Sequence, residues 1–339
     1  MQSAMNPVRD QLGRSLTDLR VSVTDRCNFR CRYCMPREHF DQEHRYLPRA
    51  EILSFEEIAR VVSSLTPLGL RKLRLTGGEP LLRSELHKLV ALLRREPELE
   101  IALTTNGSLL AKQARALHDA GLHRLTVSLD SLSPEVFARM TDSELPVTEV
   151  LAGIEAAHAV GFGPIKINAV VRRGVNDHTI IELARHFKGS GDIVRFIEYM
   201  DVGLTNGWRM DHVLSGSEIV ARIGAELPLE AVGTNYPGEV AKRYRYLDGS
   251  GEIGVITSVT QPFCGACGRL RLSADGRIFG CLFARVGADL RELLRSSPDQ
   301  AVLTEKLEAF WRERGDRYSE LRSTGTRSLP RLEMSYLGG

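Results

Sequence analysis

The sequence predicts an α/β fold: an incomplete (βα)6-type, TIM-like barrel with a smaller α+β C-terminal unit that closes its opening. Two observations predict it. In the first 200 residues, short apolar or β-branched runs alternate about six times with amphipathic stretches, as in parallel sheets with helical crossovers. After Trp208 the pattern changes to shorter strand candidates that follow one another closely. The alternation by itself fits a doubly wound sheet equally well.

The first unit is organised as strands that are each followed by a helix. Its strand candidates are residues 19–24, 72–76, 101–104, 125–129, 165–170 and 193–198. Ser54 and Glu57 have the spacing of a capping box at the start of the first long helix. Gly121 and Gly161 stand where a helix would end in a left-handed residue. Further helices are predicted at 111–120, 150–160 and 179–187.

The domain organisation that we expect is a barrel over residues 1–200, a C-terminal unit over 201–321 and a flexible tail over 322–339. The tail is rich in Ser, Thr and Gly, which is typical of mobile termini. In the C-terminal unit, helices are predicted at 218–223, 289–294 and 301–314, and strands near 244–246, 253–256, 270–273 and 278–281.

The overall charge and hydrophobicity exclude some classes of protein. Lys and Arg total 45 against 43 Asp and Glu, a net charge of +2, whereas a general nucleic-acid binder carries a larger basic excess. No apolar run is long enough to predict a membrane span, and residues 1–10 lack the layout of a signal peptide. We therefore expect a cytoplasmic protein whose thiols stay reduced.

Unusual residues stand where the predicted strands end. They are residues 27–34, 76–79 and 104–106, Ser128 with Asp130, and Glu198 with Met200. In barrels and in doubly wound sheets, ligands bind at the carboxyl ends of parallel strands. We therefore expect these five segments to surround one cavity.

The six cysteines form two groups of three, with none left over. Cys27, Cys31 and Cys34 have the spacing C-x₃-C-x₂-C, and Cys264, Cys267 and Cys281 have the spacing C-x₂-C-x₁₃-C. A cubane iron–sulfur cluster normally takes four thiolates, so three thiolates leave one iron free to bind a small molecule. The spacing predicts such a cluster at each triplet.

Zinc is the main alternative at both triplets. Structural zinc takes four ligands, and His39 and His44 are close enough in sequence to complete the first set, whereas no histidine lies near the second. Disulfides fit poorly with the reducing compartment that we expect. From the cysteine spacing, iron–sulfur clusters remain the favoured interpretation.

Charged side chains lie inside predicted barrel strands. Arg20 and Arg74 belong to the runs 19–24 and 72–76, where an unpaired buried charge would be expensive. An anion bound in the barrel would remove that cost.

Two segments resemble the radical-SAM (S-adenosylmethionine) superfamily. Cys27-Asn28-Phe29-Arg30-Cys31-Arg32-Tyr33-Cys34 looks like its cluster signature, and Thr76-Gly77-Gly78-Glu79-Pro80 looks like its SAM segment.

More narrowly, the chain from about Leu16 onward is similar to the GTP 3′,8-cyclase family of molybdenum-cofactor biosynthesis. That likeness lies in Leu19-Arg20-Val21-Ser22-Val23-Thr24-Asp25, the second triplet, Arg269-Leu270-Arg271 and the terminal Gly338-Gly339. Gly268 departs from the family's usual Asn, which leaves the detail of that loop open.

The resemblance implies two [4Fe-4S] clusters and SAM as cofactors. The first triplet would hold the cluster that binds SAM, and reductive cleavage of SAM would release a 5′-deoxyadenosyl radical. The SAM-binding positions that match are Tyr33, Gly78, Glu79, Ser128 and Met200. The second cluster would bind GTP through its open iron.

The activity that the resemblance implies is conversion of GTP to (8S)-3′,8-cyclo-7,8-dihydroguanosine 5′-triphosphate, the first step of molybdenum-cofactor (molybdopterin) biosynthesis. The radical would take the C3′ hydrogen, and C3′ would then bond to C8. The GTP-binding positions that match are Arg20, Arg74, Thr104, Lys166, Arg269, Leu270 and Arg271. A catalytic part is expected of Arg269, Arg271, Gly338 and Gly339, the two glycines by reaching into the active site.

The partners implied are GTP, a flavodoxin- or ferredoxin-like electron donor and, later in the pathway, cyclic pyranopterin monophosphate synthase. We expect a monomer or homodimer that binds neither nucleic acid nor a membrane. Two other hypotheses stay open at this point. One is another radical-SAM enzyme with an auxiliary cluster, such as a peptide modifier, and the other is a non-enzymatic metal-binding or redox-sensing protein.

Overall fold

The computed structural model describes residues 7–236, 238–322 and 331–338, and it confirms the predicted α/β class. Its strands are β1 (Asp18–Ser22), β2 (Lys72–Thr76), β3 (Glu100–Thr105), β4 (Arg124–Ser128), β5 (Lys166–Val171), β6 (Ile193–Glu198), β7 (Leu229–Val232), β8 (Lys242–Tyr246), β9 (Glu252–Ile256), β10 (Arg269–Leu272), β11 (Arg277–Phe279) and β12 (Ala288–Asp289). Its α-helices are α1 (Phe55–Leu65), α2 (Leu86–Leu93), α3 (Leu110–Asp119), α4 (Pro134–Thr141), α5 (Val147–Ala159), α6 (Ile180–Phe187), α7 (Gly216–Glu226), α8 (Arg291–Ser296), α9 (Gln300–Arg312) and the single turn α10 (Met334–Leu337).

These strands form one sheet in the order β12-β11-β10-β1-β2-β3-β4-β5-β6-β9-β8-β7. Eight of them run parallel, from β10 through β1–β6 to β9. Antiparallel strands extend each side, β11 and β12 beyond β10, and β8 and β7 beyond β9. The six strands predicted in the first 200 residues therefore lie side by side in chain order, as the predicted incomplete barrel requires.

The C-terminal third of the chain joins the sheet on both sides of these six strands, since β9 pairs with β6 and β10 pairs with β1. Because β10 runs parallel to β1, the two cysteine triplets lie at opposite ends of this strand pair. Cys27 follows the carboxyl end of β1, whereas Cys267 precedes the amino end of β10. A ligand that reaches both triplets must therefore lie along the interior of the strands.

Helix ends follow the local signals in the sequence. Ser54 Oγ accepts a hydrogen bond from Glu57 N at 3.1 Å, and Glu57 Oε2 accepts one from Ser54 N at 2.6 Å, so the predicted capping box is confirmed. Gly121 and Gly161 have φ angles of +90° and +107°, in the left-handed region expected there. Helix α4, capped by Ser133, was not predicted. None of the helices described here is long and apolar enough to cross a lipid bilayer.

Alternate residues of the central strands face opposite sides of the sheet. Leu19 and Leu73 are buried in the main hydrophobic core together with helix residues such as Val61. Arg20 and Arg74 project from the other face and stand opposite each other in register. The interior of the barrel is therefore polar and cationic, while its apolar core lies between the strands and the helices.

Candidate active site

One cavity of about 290 Å³ brings both cysteine triplets together, because all six cysteines contribute to its wall. Its volume is close to the lower end of the range for small-molecule sites. Predicted ligand-binding residues that line it are Arg20, Tyr33, Arg74, Gly78, Glu79, Thr104, Ser128, Met200, Arg269 and Arg271. The expected gathering of strand ends is thus observed, except that Glu198 does not line the cavity. Among the described residues, no three His, Cys, Asp or Glu side chains are close enough to bind a single metal ion.

The first triplet lies in a loop directly after β1. Cys34 N donates to Cys31 O at 2.9 Å and closes a turn. The guanidinium of Arg30 donates to Cys27 O at 2.8 Å and to Phe40 O at 2.9 Å, which ties the two ends of the loop together. All three thiols are free and partly exposed in the cavity wall.

Burial favours the protonated form of these thiols. It raises the pKa of Cys27 to about 11, with the Glu79 carboxylate acting in the same direction. Burial, followed by Cys27 and Asp130, also raises the pKa of Cys31 well above its usual value. Iron–sulfur clusters bind thiolates, and bound metal ions supply the positive charge that stabilises them. A cluster therefore fits this set of three partly buried sulfurs and would leave one iron open.

Two glycines hold the end of β2 against the cysteine loop. A Cβ on Gly77 would lie 2.5 Å from Thr24 O, and a Cβ on Gly78 would lie 2.2 Å from Arg26 O. Gly78 N also donates to Thr24 O at 2.8 Å. The close approach is to the chain's own backbone, so these glycines position the loop that leads into Cys27 as well as lining the cavity.

Glu79 is buried and connects the ends of β2 and β3. Its Oε1 accepts hydrogen bonds from Thr105 Oγ1 at 2.7 Å and Leu81 N at 3.0 Å, and its Oε2 accepts one from Asn106 N at 2.7 Å. Burial outweighs these bonds and raises the pKa of Glu79 to about 7. A carboxylate has about four acceptor positions, so one remains for the amino group of a ligand.

The other predicted SAM-binding residues come from neighbouring strand ends. Tyr33 OH donates to Asp130 Oδ2 at 2.9 Å, which fixes the phenol ring beside the first triplet. Ser128 ends β4, and Met200 follows β6, where its carbonyl accepts a bond from Asn206 Nδ2 at 3.1 Å. The structure thus brings all five predicted SAM-binding residues to the end of the cavity that contains Cys27.

The second triplet is assembled from two loops beside β10 and β11. Cys264 begins a 3₁₀ turn, Cys267 N donates back to Cys264 O at 3.1 Å, and Cys281 follows β11. Arg269 Nε donates to Cys267 Sγ at 3.3 Å. Burial by itself would raise the pKa of Cys267, but the cations of Arg269 and Arg314 outweigh it and lower that pKa to about 7. Cys267 is therefore well placed to act as a thiolate ligand.

Gly268, the departure from the resembled family, packs tightly against the segment before β1. A Cβ on Gly268 would lie 2.4 Å from Thr17 Oγ1 and 2.5 Å from Ser15 O. Its carbonyl accepts hydrogen bonds from Thr17 N and Asp18 N, both at 3.0 Å. Glycine at this position therefore allows the loop of the second triplet to lie directly against β1.

Arginines from three adjacent strands form a row between the two triplets. Arg20 is in register with Arg74 on one side and Arg271 on the other, while Arg269 stands opposite Asp18. Burial, followed by Arg271 and Arg269, lowers the pKa of Arg20, which shows that its positive charge is opposed there. Its Nε is buried without a hydrogen-bond partner in the described part of the chain. Such a row is costly unless an anion joins it, so it indicates a polyanionic ligand.

Beyond Arg74, polar side chains on β3, β5 and β6 extend the row. Arg74 Nη1 donates to Thr104 Oγ1 at 2.9 Å, and Arg195 Nε donates to Asn168 Oδ1 at 2.9 Å. Arg195 lines the cavity but was not singled out in the sequence. The available signal was its position inside the predicted strand 193–198, the same feature that drew attention to Arg20.

Two predicted GTP-binding residues have side chains outside the cavity wall. Lys166 lies two residues nearer the amino end of β5 than Asn168, and burial, followed by Arg195 and Arg124, lowers its pKa to about 7. The side chain of Leu270 is fully buried in the hydrophobic core, so only its backbone is left for ligand contact.

The C-terminal segment inserts at the carboxyl ends of β1 and β2. Gly338 has a φ of +75°, and a Cβ on it would lie 2.6 Å from Thr76 Cγ2 and 2.7 Å from Ser22 Oγ. Its carbonyl accepts a hydrogen bond from Arg271 Nη1. Flexibility was predicted for residues 322–339, of which 323–330 and Gly339 lie outside the described residues.

Two protein-family models match the chain. Residues 21–187 match the Radical SAM superfamily, and residues 192–320 match Molybdenum Cofactor Synthesis C. The first match contains the first triplet and the Gly77-Gly78 segment, and the second match contains the second triplet and β10.

Relatives are similar over nearly the whole chain. A protein of Acidothermus cellulolyticus named GTP 3′,8-cyclase is 54% identical, and the similarity extends over 98% of this chain and 99% of that protein. A protein of Xanthomonas axonopodis pv. citri with the same name is 47% identical with the same coverage. Among solved structures, Streptococcus suis SuiB bound to precursor peptide SuiA has a TM-score of 0.62 at 14% identity, covering 92% of this chain and 68% of that one, and shows the fold alone. The chain belongs to the GTP 3′,8-cyclase family of the radical SAM superfamily.

Proposed function

We propose that this protein converts GTP to (8S)-3′,8-cyclo-7,8-dihydroguanosine 5′-triphosphate, the first step of molybdenum-cofactor biosynthesis. The observation that carries the proposal is the cationic row between two thiol triplets in one cavity. Its wall contains Arg20, Arg74, Arg195, Arg269 and Arg271, together with Arg14 and Arg314, which pair with Asp10, against the carboxylates of Glu79, Asp130 and Asp316. A nucleoside triphosphate supplies the polyanion that this excess of positive charge requires.

The first triplet would hold the [4Fe-4S] cluster that the superfamily uses to bind SAM. Reductive cleavage of SAM supplies the 5′-deoxyadenosyl radical that takes the C3′ hydrogen of GTP. The chain's own residues orient the cofactor. Glu79 keeps one acceptor position for its amino group, Tyr33 lies beside the cluster, and Ser128 and Met200 would contact its ribose and adenine.

We infer that the second triplet holds a second [4Fe-4S] cluster with its open iron available to the guanine base. The three thiols support this inference, and the cations beside Cys267 favour the thiolate form of that residue. Burial raises the pKa of Cys281 to about 11, so a bound metal would have to supply the positive charge that stabilises its thiolate. Arg269 and Arg271 follow Cys267 on β10 and belong to the row. They would bind phosphate oxygens and stabilise negative charge that develops during the final reduction.

Positioning of GTP is the main contribution of the remaining residues. C3′ and C8 belong to the same bound molecule, so holding one conformation brings both reacting atoms together. Arg20, Arg74 and Arg271 stand at one level of the sheet and would clamp the triphosphate from three strands. Thr104, already bonded to Arg74, orients that guanidinium.

The direct test is anaerobic purification and reconstitution, followed by an iron assay and a SAM-cleavage assay. Two cubanes predict about eight irons per chain. With SAM and a reduced flavodoxin or ferredoxin, we expect 5′-deoxyadenosine and the cyclised nucleotide to form only when GTP is present. Cleavage that ignores GTP would favour a peptide modifier, and no cleavage would favour a metal-binding or redox-sensing protein.

GTP binding is expected to take up a proton at Lys166 at about pH 8. With a pKa near 7, this amine is mostly neutral at that pH. Its side chain lies outside the cavity wall, but the cation of Arg195, which lines the cavity, acts on it, so a triphosphate bound beside Arg195 would favour the charged form of Lys166. The affinity for GTP should therefore decrease as the pH rises from about 6 to about 8. Calorimetric titrations in two buffers of different ionisation enthalpy measure the uptake, and the same uptake in Lys166→Met would contradict the assignment.

Gly338→Val is expected to impair cyclisation while leaving the iron content unchanged. The added side chain would collide with Thr76 and Ser22 and would occupy a backbone conformation that favours glycine. Displacing this segment by about 1 Å would slow product formation on the order of a hundredfold. Deletion of residues 338–339 should have the same effect. Gly224→Val, on α7 with no neighbour near its Cβ, is the control, and full activity of the truncated protein would refute a role for the tail.

A further inference from the structure

Asp10, Arg14 and Arg314 form a buried ion-pair network behind the second triplet. Asp10 Oδ2 accepts hydrogen bonds from Arg14 Nε at 2.6 Å and from Arg314 Nη1 at 2.8 Å. All three side chains are at most 2% exposed. Asp10 Oδ1 accepts backbone bonds from Leu12 N at 3.0 Å and Arg14 N at 2.9 Å. One carboxylate thus fixes two guanidinium groups that are far apart in sequence.

Both guanidinium groups donate to the backbone of the loops that carry the second triplet. Arg14 Nη1 donates to Cys264 O at 3.0 Å. Arg314 Nη1 donates to Cys267 O at 2.8 Å, and its Nε donates to Gly280 O at 2.8 Å, the residue before the third cysteine. The network is therefore bonded to the backbone at or next to every cysteine of the triplet. These bonds set the relative positions of two loops that are not adjacent in sequence.

Arg14 retains one donor that has no acceptor in the described part of the protein. Its Nε and Nη1 are committed to Asp10, Cys264 O and Asp316 O. Its Nη2 is buried without a hydrogen-bond partner, and the residue lines the cavity. An unsatisfied buried N–H is unfavourable, so an acceptor is expected beside this nitrogen.

We propose that this network positions the second cluster and raises its reduction potential, with Arg14 Nη2 donating a hydrogen bond to a cluster or cysteine sulfur. The proposal rests on the proposed function, because it requires a cluster at the second triplet. Hydrogen bonds to cluster sulfurs tune the potential, and they favour the reduced state because it carries more negative charge. The network has two cations and one carboxylate, and its net positive charge likewise favours the more negative, reduced cluster. Asp10 and Arg314 act through Arg14 and the cysteine backbone, so they are positioning residues.

Arg14→Lys tests the proposal, since lysine keeps the charge but loses the fork and the Nη2 donor. The readouts are iron per chain and the reduction potential of each cluster in an EPR-monitored titration of reconstituted protein, with the first cluster as internal reference. At the midpoint potential of the wild-type second cluster, we expect the ratio of reduced to oxidised second cluster to be about tenfold lower in Arg14→Lys. This corresponds to a midpoint potential lower by about 59 mV for one electron. The first cluster should titrate as in the wild type.

Arg60→Lys is the matched control. Arg60 also donates to two backbone carbonyls, Leu294 O at 2.7 Å and Ser297 O at 2.8 Å, but it does not line the cavity. Selective loss of about four irons in Arg14→Lys would also support the positioning role. Iron content and potentials equal to those of Arg60→Lys would overturn the proposal. If Arg14→Lys does not fold, Asp10→Asn, which nearly preserves side-chain shape, decides by the same readouts. A wild-type protein with no second cluster would instead refute the proposed function.

Discussion

Replacing the three cysteines of the second triplet with alanine is expected to abolish GTP cyclisation while SAM still binds. The two triplets lie at opposite ends of the β1–β10 pair, so the cysteine loop after β1 should keep its turn and its Arg30 bonds. We expect about four irons per chain in place of about eight. The variant should bind SAM normally but lose the stimulation of 5′-deoxyadenosine formation by GTP. Iron analysis, SAM binding and nucleotide analysis on the same preparation measure all three effects.

The matched variant replaces Cys27, Cys31 and Cys34 with alanine. It should also retain about four irons, but with the opposite consequences, namely no SAM binding and preserved GTP binding. Such reciprocal losses would show that each triplet serves one ligand. If either triple variant lost all iron and both ligands, the two sites would not be independent, and the assignment of one cluster to each ligand would be wrong.

The parallel core of the fold could be predicted because its information is local. The periods of the apolar residues gave β2 and β6 their observed limits, and the capping box at Ser54 marked the start of α1. The pairing of β9 with β6 and of β10 with β1 was not predicted. Strand neighbours are chosen by contacts between distant segments, and the pattern within a strand does not encode them. The expected boundary at residue 200 stays a prediction.

The candidate site likewise contains some residues that the sequence indicates and others that it does not. The cysteine spacing and the arginines inside strands are visible in the sequence, because a metal-ligand pattern and a buried charge are unusual wherever they occur. Arg14 and Arg314 were missed since neither lies in a predicted barrel strand. Their importance comes from contacts between distant segments, because Arg14 bonds to Cys264 O, 250 residues away, and Arg314 bonds to Asp10, 304 residues away. The reason for Gly78 was likewise incomplete, because its close neighbour is Arg26 O rather than a ligand alone.

Gly78→Ala is therefore expected to remove SAM binding and to weaken the first cluster selectively. The φ of Gly78 is not in the left-handed region, so alanine meets no intrinsic backbone strain, and the effect must come from the methyl group. That group would lie 2.2 Å from Arg26 O, so either β2 or the segment before Cys27 must move. Overpacking of this kind costs about 1–3 kcal/mol in the free energy of unfolding. Equilibrium dialysis with SAM, iron analysis and denaturant unfolding measure the three consequences.

Gly224→Ala distinguishes this local displacement from a general effect of added volume. Gly224 lies within α7 with no heavy atom near its Cβ position, so alanine there should stabilise the protein by about 0.4–1 kcal/mol and leave both ligands bound. In Gly78→Ala, the iron of the second triplet and the ability to bind GTP should persist, because the second triplet, Arg269 and Arg271 belong to β10 and to the loops beside β10 and β11, whereas residue 78 follows β2 at the other end of the cavity. Wild-type SAM affinity in Gly78→Ala would show that the cysteine loop tolerates the shift, and the proposed reason for the two glycines would then be wrong.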